Sequence, residues 1–257
     1  MKIKLLDEYP YLYETHLHTN QGSACGQDSG HDMAAACKEF GYTGIFVTDH
    51  NWGGNTCVSR ELPWEEWINL YAEGDRGAKR FGDANGLDVY FGMETGFQGT
   101  EFLIYGLDVE DFLKIPELRK CTVEEQYEII RKAGGMVSQA HPYRVEPYIP
   151  EVRTFPEYAD AIEVYNATHS SPLSMAHNNP DWNDEALKLA LEFNKPMTAG
   201  SDVHSTKLFG GGMAFKRRLE NAKDFCKAVK NNEDYIISDG MYWRDRKGSI
   251  LCGVEIL

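Results

Sequence analysis

Short runs of continuously apolar residues recur along this chain, each followed by an amphipathic stretch, and this alternation limits the fold more than any other feature. Strands buried on both faces read as unbroken apolar runs. Strands alternating with helices build a parallel sheet, either closed as a barrel or open and doubly wound. The runs predict strands over 11–18, 44–48, 88–93, 102–107, 136–140, 161–165, 196–199, 235–238 and 253–257. Helices are expected over 33–40, with Asp32 as cap and Gly41 as stop, and over 64–81 behind Pro63. Thr122 and Glu125 have capping-box spacing and open a helix ending at Gly134-Gly135. Asn183 is expected to cap 184–193, and 221–229 forms a last helix. No repeat, low-complexity tract or linker interrupts the series, so 1–257 reads as one domain.

Composition narrows the class. Apolar residues make up 42% of the chain, enough for a sizeable core. No stretch approaches the ~20 apolar residues of a bilayer span. Lys2 and Lys4 are followed by Leu5 and Leu6, but Asp7 and Glu8 end the run before it has the length of a signal peptide. The expectation is a cytoplasmic protein with no membrane partner. The six cysteines show no paired short spacing and are expected to be reduced. A net charge of -14 disfavours a long nucleic-acid partner, because phosphate backbones are held by basic surfaces. A small anionic substrate remains compatible, since bound cations reverse the local sign of a carboxylate-rich cleft.

The histidines and carboxylates fall at the ends of the expected strands. His16 and His18 end the first, Asp49 and His50 the second, Glu94 the third, His141 a later one, and Asp202 and His204 close the series. In a parallel α/β fold those ends open onto one face, where ligands bind. Alternate residues of a strand share a side, so both imidazoles of His16 and His18 can reach one ion. Five of the eight histidines lie at strand ends beside carboxylates, a donor mixture suited to zinc, manganese or iron.

The ordered set His-x-His, Asp-His, Glu, His-Pro and Asp-x-His resembles the polymerase-and-histidinol-phosphatase (PHP) superfamily of metal-dependent phosphoesterases, over roughly residues 11–204. The resemblance implies a distorted (β/α)7 barrel with two or three divalent ions (Mn, Fe or Zn) at the C-terminal ends of its strands. It implies that His16, His18, Glu94 and Asp202 hold a first metal. Glu94 would bridge to a second that also takes His141, and His50 and His204 would hold a third. Two positions depart from the family pattern. Cys25 stands near a usual aspartate, where it acts either as a thiolate ligand or as a small buried residue. Glu101 replaces a usual histidine, which keeps a ligand and favours a harder ion such as manganese.

The implied chemistry is hydrolysis of a small phosphate ester, a phosphomonoester or nucleotide-like molecule, by a metal-bridging hydroxide. His204 is a candidate proton donor to the leaving group. Arg144 is placed to grip phosphate bidentately, or else forms a surface ion pair with Glu146 or Glu151; Lys207 has a similar but weaker claim. Asp49 either orients His50 or meets backbone, and Glu163 and Asn166 either face the pocket or cap a loop. Trp52, Trp64 and Trp67 are candidates to line a base-binding pocket, but the helical spacing of Trp64 and Trp67 reads more as core. His31, His169 and His177 read as surface residues. Gly210-Gly211-Gly212 lacks the Lys-Ser/Thr of a phosphate loop and reads as a flexible turn. Two other readings compete: an amidohydrolase-type hydrolase of C–N or lactone bonds, and a non-catalytic metal-binding module. The first usually adds a strand-end lysine, which is missing here; the second tends to lose ligands that this chain retains.

Overall fold

The expected strands form, but they do not join into one closed ring. The computed structural model describes residues 1–257. In chain order its strands are β1 (Ile3–Lys4), β2 (Tyr11–Leu17), β3 (Gly44–Val47), β4 (Asp88–Phe91), β5 (Met93–Phe97), β6 (Thr100–Tyr105) and β7 (Met136–Ala140). There follow β8 (Ala161–Asn166), β9 (Met197–Gly200), β10 (Gly211–Phe215), β11 (Tyr235–Asp239), β12 (Tyr242–Arg244), β13 (Ile250–Gly253) and β14 (Glu255–Ile256). The helices are α1 (Gly30–Phe40), α2 (Trp64–Tyr71), α3 (Glu73–Asn85), α4 (Val109–Leu113), α5 (Val123–Lys132), α6 (Ala167–Ser170), α7 (Asp181–Glu192) and α8 (Ala222–Lys230).

One sheet has the order β13-β12-β11-β10-β2-β3-β4, a second β5-β6-β7-β8-β9, and β1 pairs with β14. Only β2-β3-β4 and β7-β8-β9 are parallel. The (β/α)7 barrel is therefore not present as a closed parallel ring, for two local reasons. The run expected over 88–93 divides into β4 and β5, and β5 turns back through Gln98 and Gly99, both at positive φ (50° and 84°). That tight turn makes β5-β6-β7 antiparallel with no crossover helix. Second, Gly211 and Gly212 belong to a strand and not to a flexible turn. β10 runs antiparallel to both β2 and β11, and a Cβ on Gly212 would lie 2.3 Å from the Tyr13 carbonyl oxygen. Glycine lacks strand propensity, which hides this strand, but its missing side chain permits the close approach.

The two large sheets meet at two isolated parallel bridges, Leu17–Val203 and His50–Glu94. His18 N–H donates to the Val203 carbonyl and Glu94 N–H to that of Asp49, each at 2.9 Å. These bridges bring the carboxyl ends of β2 and β3 against β5 and the segment after β9.

The helices show which local signals held. Thr122 and Glu125 form the reciprocal capping box, and Asn221 caps α8. Ser29, not Asp32, caps α1; its hydroxyl accepts the Asp32 N–H and Asp32 sits in the first turn. The stretch 64–81 breaks at Ala72 into α2 and α3. Asn183 lies inside α7 instead of capping it, with its amide turned toward Asn166 and His169. Trp67 is buried and stacks on Tyr71 and Trp64, while Trp52 packs edge-on against both Trp64 and Trp67. The tryptophans are thus core material. All six cysteines are free thiols. No helix is long and apolar enough to cross a membrane.

Asp75 on α3 is buried with Oδ1 unpartnered, and burial, opposed by Lys79 and Arg76, raises its pKa to about 6. A carboxyl that holds its proton more tightly when folded favours the fold fully below its unfolded pKa, about 3.9, and this help is lost as pH rises through 6. Asp75→Asn should therefore stabilise the protein at pH 8 by about 1–3 kcal/mol, with the gain vanishing below about pH 4. Thermal melts of both proteins across that range check the prediction; an equal difference at both ends contradicts it.

Candidate metal centre

The strand pleat turns Glu14, His16 and His18 to one side of β2 and its extension. Glu14, wholly buried, accepts N–H bonds from His16 (3.0 Å) and Ser201 (2.8 Å), tying β2 to the chain after β9. Burial raises its pKa to about 7 against these bonds. The tie holds His16 and His18 against Asp202, while the second bridge holds His50 against Glu94. His141 and Asp202 adopt positive φ, 24° and 55°, a strained conformation for residues other than glycine that concentrates at functional sites.

The side chains converge. His16 Nε2 lies 3.3 Å from Glu94 Oε1 and 3.4 Å from Asp202 Oδ1, and His18 Nε2 lies 3.1 Å from Asp202 Oδ1. His141 Nε2 is 3.2 Å from Glu94 Oε1, and His50 Nδ1 is 2.7 Å from Glu94 Oε2. Glu101 on β6 faces His50 at 3.5 Å and His141 at 3.6 Å. Four groupings have ligand-like spacing: His16-His18-Glu94, His16-His141-Asp202, His18-His50-His204 and His50-Glu94-Glu101. Cys25 completes one wall, its thiol meeting His204 and His50. Burial works to raise its pKa, but these contacts lower it to about 7.

The fit to metal ions rests on atoms that lack partners. His16 Nε2, His18 Nε2, His50 Nδ1 and Glu94 Oε2 are all buried without a hydrogen bond. Four such atoms, shared among adjoining ligand groupings, carry a desolvation cost that bound cations would offset. The other edges of the rings are satisfied. His16 Nδ1 donates to Glu163 Oε1 (2.9 Å), and His18 Nδ1 donates to Ser23 Oγ (3.0 Å), which in turn donates to Asp49 Oδ1 (2.6 Å). His204 Nδ1 donates to the Asp202 carbonyl (2.9 Å). Each bond puts the proton on Nδ1 and leaves the Nε2 lone pair free, the arrangement found around metal-bound histidines.

Electrostatics follow from the same crowding. With no ion bound, burial at His16 and His50 is outweighed by the surrounding carboxylates, which raise both; these imidazoles in turn outweigh burial at Glu94 and hold its carboxyl well below the usual range. Asp202 is likewise held low, His16 and Arg144 overcoming burial. Burial, with His204 and His50, keeps His18 neutral. Glu101 is raised by burial and by Glu94.

The structure thus brings His16, His18, Cys25, His50, Glu94, Glu101, His141, Asp202 and His204 to one place. Arg144 is also there, but buried against Asp202, His169 and Thr168 and not paired at the surface with Glu146 or Glu151. Asp49 acts through Ser23 and Thr19, and not on the His50 ring. Lys207 lies elsewhere, beside Phe40 and Leu208. His31 is exposed, and His177 pairs with Glu146 at the mouth of the cleft. His169, expected at the surface, is completely buried. Sequence reasoning gave Ser23 no role and left Glu163 open. The available signal was that Glu163 sits on a strand carrying Asn166, a polar pair inside an otherwise apolar run.

Glu163 accepts from three donors: His16 Nδ1, the His141 N–H and Asn166 Nδ2. Glu163→Gln leaves one oxygen to accept and turns an amide N–H toward the others. Metal affinity is expected to fall about 10–100-fold, read by calorimetric titration with manganese. Unchanged affinity would remove Glu163 from this role.

The centre opens into a cleft of about 490 Å³. Gly53, Gly54, Gly96 and Gly99 form much of one wall, with Tyr148 and His177 also on its lining.

Comparison with known proteins bears on this architecture. Residues 180–233, a segment containing Asp202 and His204, match the PHP-associated family model. The fold aligns with a two-domain protein containing a predicted PHP-like metal-dependent phosphoesterase from Bacteroides vulgatus ATCC 8482. The TM-score is 0.64 and the identity 16%, covering 93% of this chain and 68% of that one. This chain has a PHP-like fold. A protein assigned as a metal-dependent phosphoesterase from Bifidobacterium adolescentis ATCC 15703 aligns with TM-score 0.50 and 14% identity, over 76% of this chain and 88% of that one. An amidohydrolase from Chromobacterium violaceum, solved with bound sulfate, aligns with TM-score 0.51 and 14% identity, over 75% and 87%. No curated protein matches the sequence significantly. At these identities the PHP-like neighbours establish the fold, and the PHP-associated segment supplies independent support in sequence.

Proposed function

We propose that the PHP-like chain is a metal-dependent hydrolase of small phosphate esters. The observation that carries this reading is the convergence of unpartnered, buried imidazole nitrogens and Glu94 Oε2 at the floor of a polar cleft. Two or three divalent ions of manganese, iron or zinc, when bound, would lower the pKa of water from about 15.7 to near 7 and relieve charge on the phosphoryl oxygens.

The protein groups divide the remaining work. His16, His18, Glu94 and Asp202 would hold a first ion, His141 and Glu101 would extend the site from Glu94, and His50, His204 and Cys25 would form its outer side. Glu163 and the Ser23–Asp49 pair fix the tautomers that aim His16 and His18. Arg144 lines the cleft and presents a guanidinium to an oxyanion. His204, a quarter exposed at the rim, serves as a ligand of the outer ion or, where no ion takes its Nε2, as the proton donor to the leaving oxygen. The net charge of -14 and the confined cleft favour a small substrate over a long nucleic acid.

The amidohydrolase neighbour supports a second reading, hydrolysis of C–N or lactone bonds. The cleft lining holds an arginine but no lysine, which favours the phosphoester. A panel of phosphomonoesters, nucleotides, amides and lactones, assayed with added manganese or zinc, separates the two. Release of inorganic phosphate is expected; cleavage confined to amides or lactones would overturn the proposal.

A further inference from the structure

Behind the cleft lies a buried hydrogen-bond chain that no metal needs. Arg144 Nε donates to His169 Nε2 at 3.2 Å, and His169 Nδ1 meets Asn183 Oδ1 at 2.9 Å. Asn183 Nδ2 donates to the Asn166 carbonyl (3.2 Å) and to Ser170 Oγ (2.7 Å), which fixes its amide with Oδ1 toward the imidazole. A guanidinium can only donate. His169 must therefore accept at Nε2 and carry its proton on Nδ1, the tautomer Asn183 selects. His169 belongs to none of the ligand groupings, although its ring stands edge-on to that of His141 at 6.4 Å, and it is closed to solvent.

This geometry determines which edge of Arg144 faces substrate. Nε is held by His169, and Nη2 by Asp202 Oδ2 and Thr168 Oγ1. Nη1 remains for the cleft, where the Tyr148 hydroxyl stands beside the guanidinium. Asp202 meanwhile turns Oδ1 toward His16 and His18. We propose that His169 is a positioning residue that holds Arg144 with Nη1 directed at the phosphoryl oxygens of the substrate. It acts through Arg144 and touches neither substrate nor metal. The inference rests on the phosphoester reading for its ligand, but its test reads binding directly.

Inorganic phosphate serves as the probe, titrated calorimetrically into manganese-loaded protein, with manganese affinity measured in parallel. His169→Leu removes the acceptor and should weaken phosphate binding roughly tenfold to a hundredfold, with manganese affinity unchanged. His169→Gln, whose side-chain oxygen can accept the same N–H, should recover most of the loss. Arg144→Lys should weaken phosphate similarly, and adding His169→Leu to it should cost nothing further, because both act on one interaction. Wild-type phosphate affinity in His169→Leu, or a Gln variant no better than Leu, would overturn the proposal. So would a loss that falls on manganese instead of phosphate, or a parent protein that binds no phosphate. Tight phosphate binding without hydrolysis of any ester would overturn the phosphoesterase reading alone, and the variant comparison would still decide the role of His169.

Discussion

Asp202→Asn and His16→Ala should each lower turnover at least about a thousandfold, the loss of about 4 kcal/mol of transition-state stabilisation, while the fold persists. His16 lies at the crossing of two ligand groupings, with His18 and Glu94 and again with His141 and Asp202, and Asp202 Oδ1 faces both His16 and His18. Asparagine is the better replacement at 202. It keeps an oxygen and the shape beside Arg144, whereas alanine would leave a buried guanidinium unpaired, a defect costing about 3–5 kcal/mol by itself. Far-ultraviolet circular dichroism and a cooperative melt establish the fold of each variant; elemental analysis should show metal lost together with activity. Either variant with full activity would sink the ligand assignment.

Chelation should lower the melting temperature markedly. Glu94, Asp202 and Glu101 are buried around imidazoles whose Nε2 or Nδ1 atoms have no hydrogen-bond partner. A ligand that binds only the folded state at a hundred times its Kd adds about 2.7 kcal/mol, and each kcal/mol moves the melting point of a chain of this size by about 2–4 °C. A drop of roughly 5–10 °C on chelation is therefore expected, reversed by manganese or zinc. Asp202→Asn should show little of this dependence. A chelator that leaves the melt of the parent protein unchanged would mean that the converging side chains do not hold metal tightly.

The site was more legible in the sequence than the fold around it. His16 and His18, Glu94, His141 and Asp202 were readable because each closes or follows a distinct apolar run, although Glu94 falls near the start of β5 and reaches the shared face through its bridge to His50. The closed barrel was not readable in this way. β10 is masked by Gly211 and Gly212, and the turn at Gln98-Gly99 that reverses β5 leaves no mark in apolar periodicity. Helix starts depended on which polar side chain folds back: Ser29 outcompetes Asp32, and Asn183 is drawn into contacts with Asn166 and His169 that come from elsewhere in the chain. The same reason hid His169. Its burial depends on partners contributed by the loop after β7 and by α7, and sequence distance gives no hint of either.

The most direct test is to purify the protein without chelator, count its metals by elemental analysis, and assay phosphate release from small phosphomonoesters with and without chelation. The account predicts two or three manganese, iron or zinc ions per chain, following the ligand groupings around Glu94 and Asp202, and release that stops when they are removed. A protein that retains no tightly bound metal even after reconstitution would contradict it.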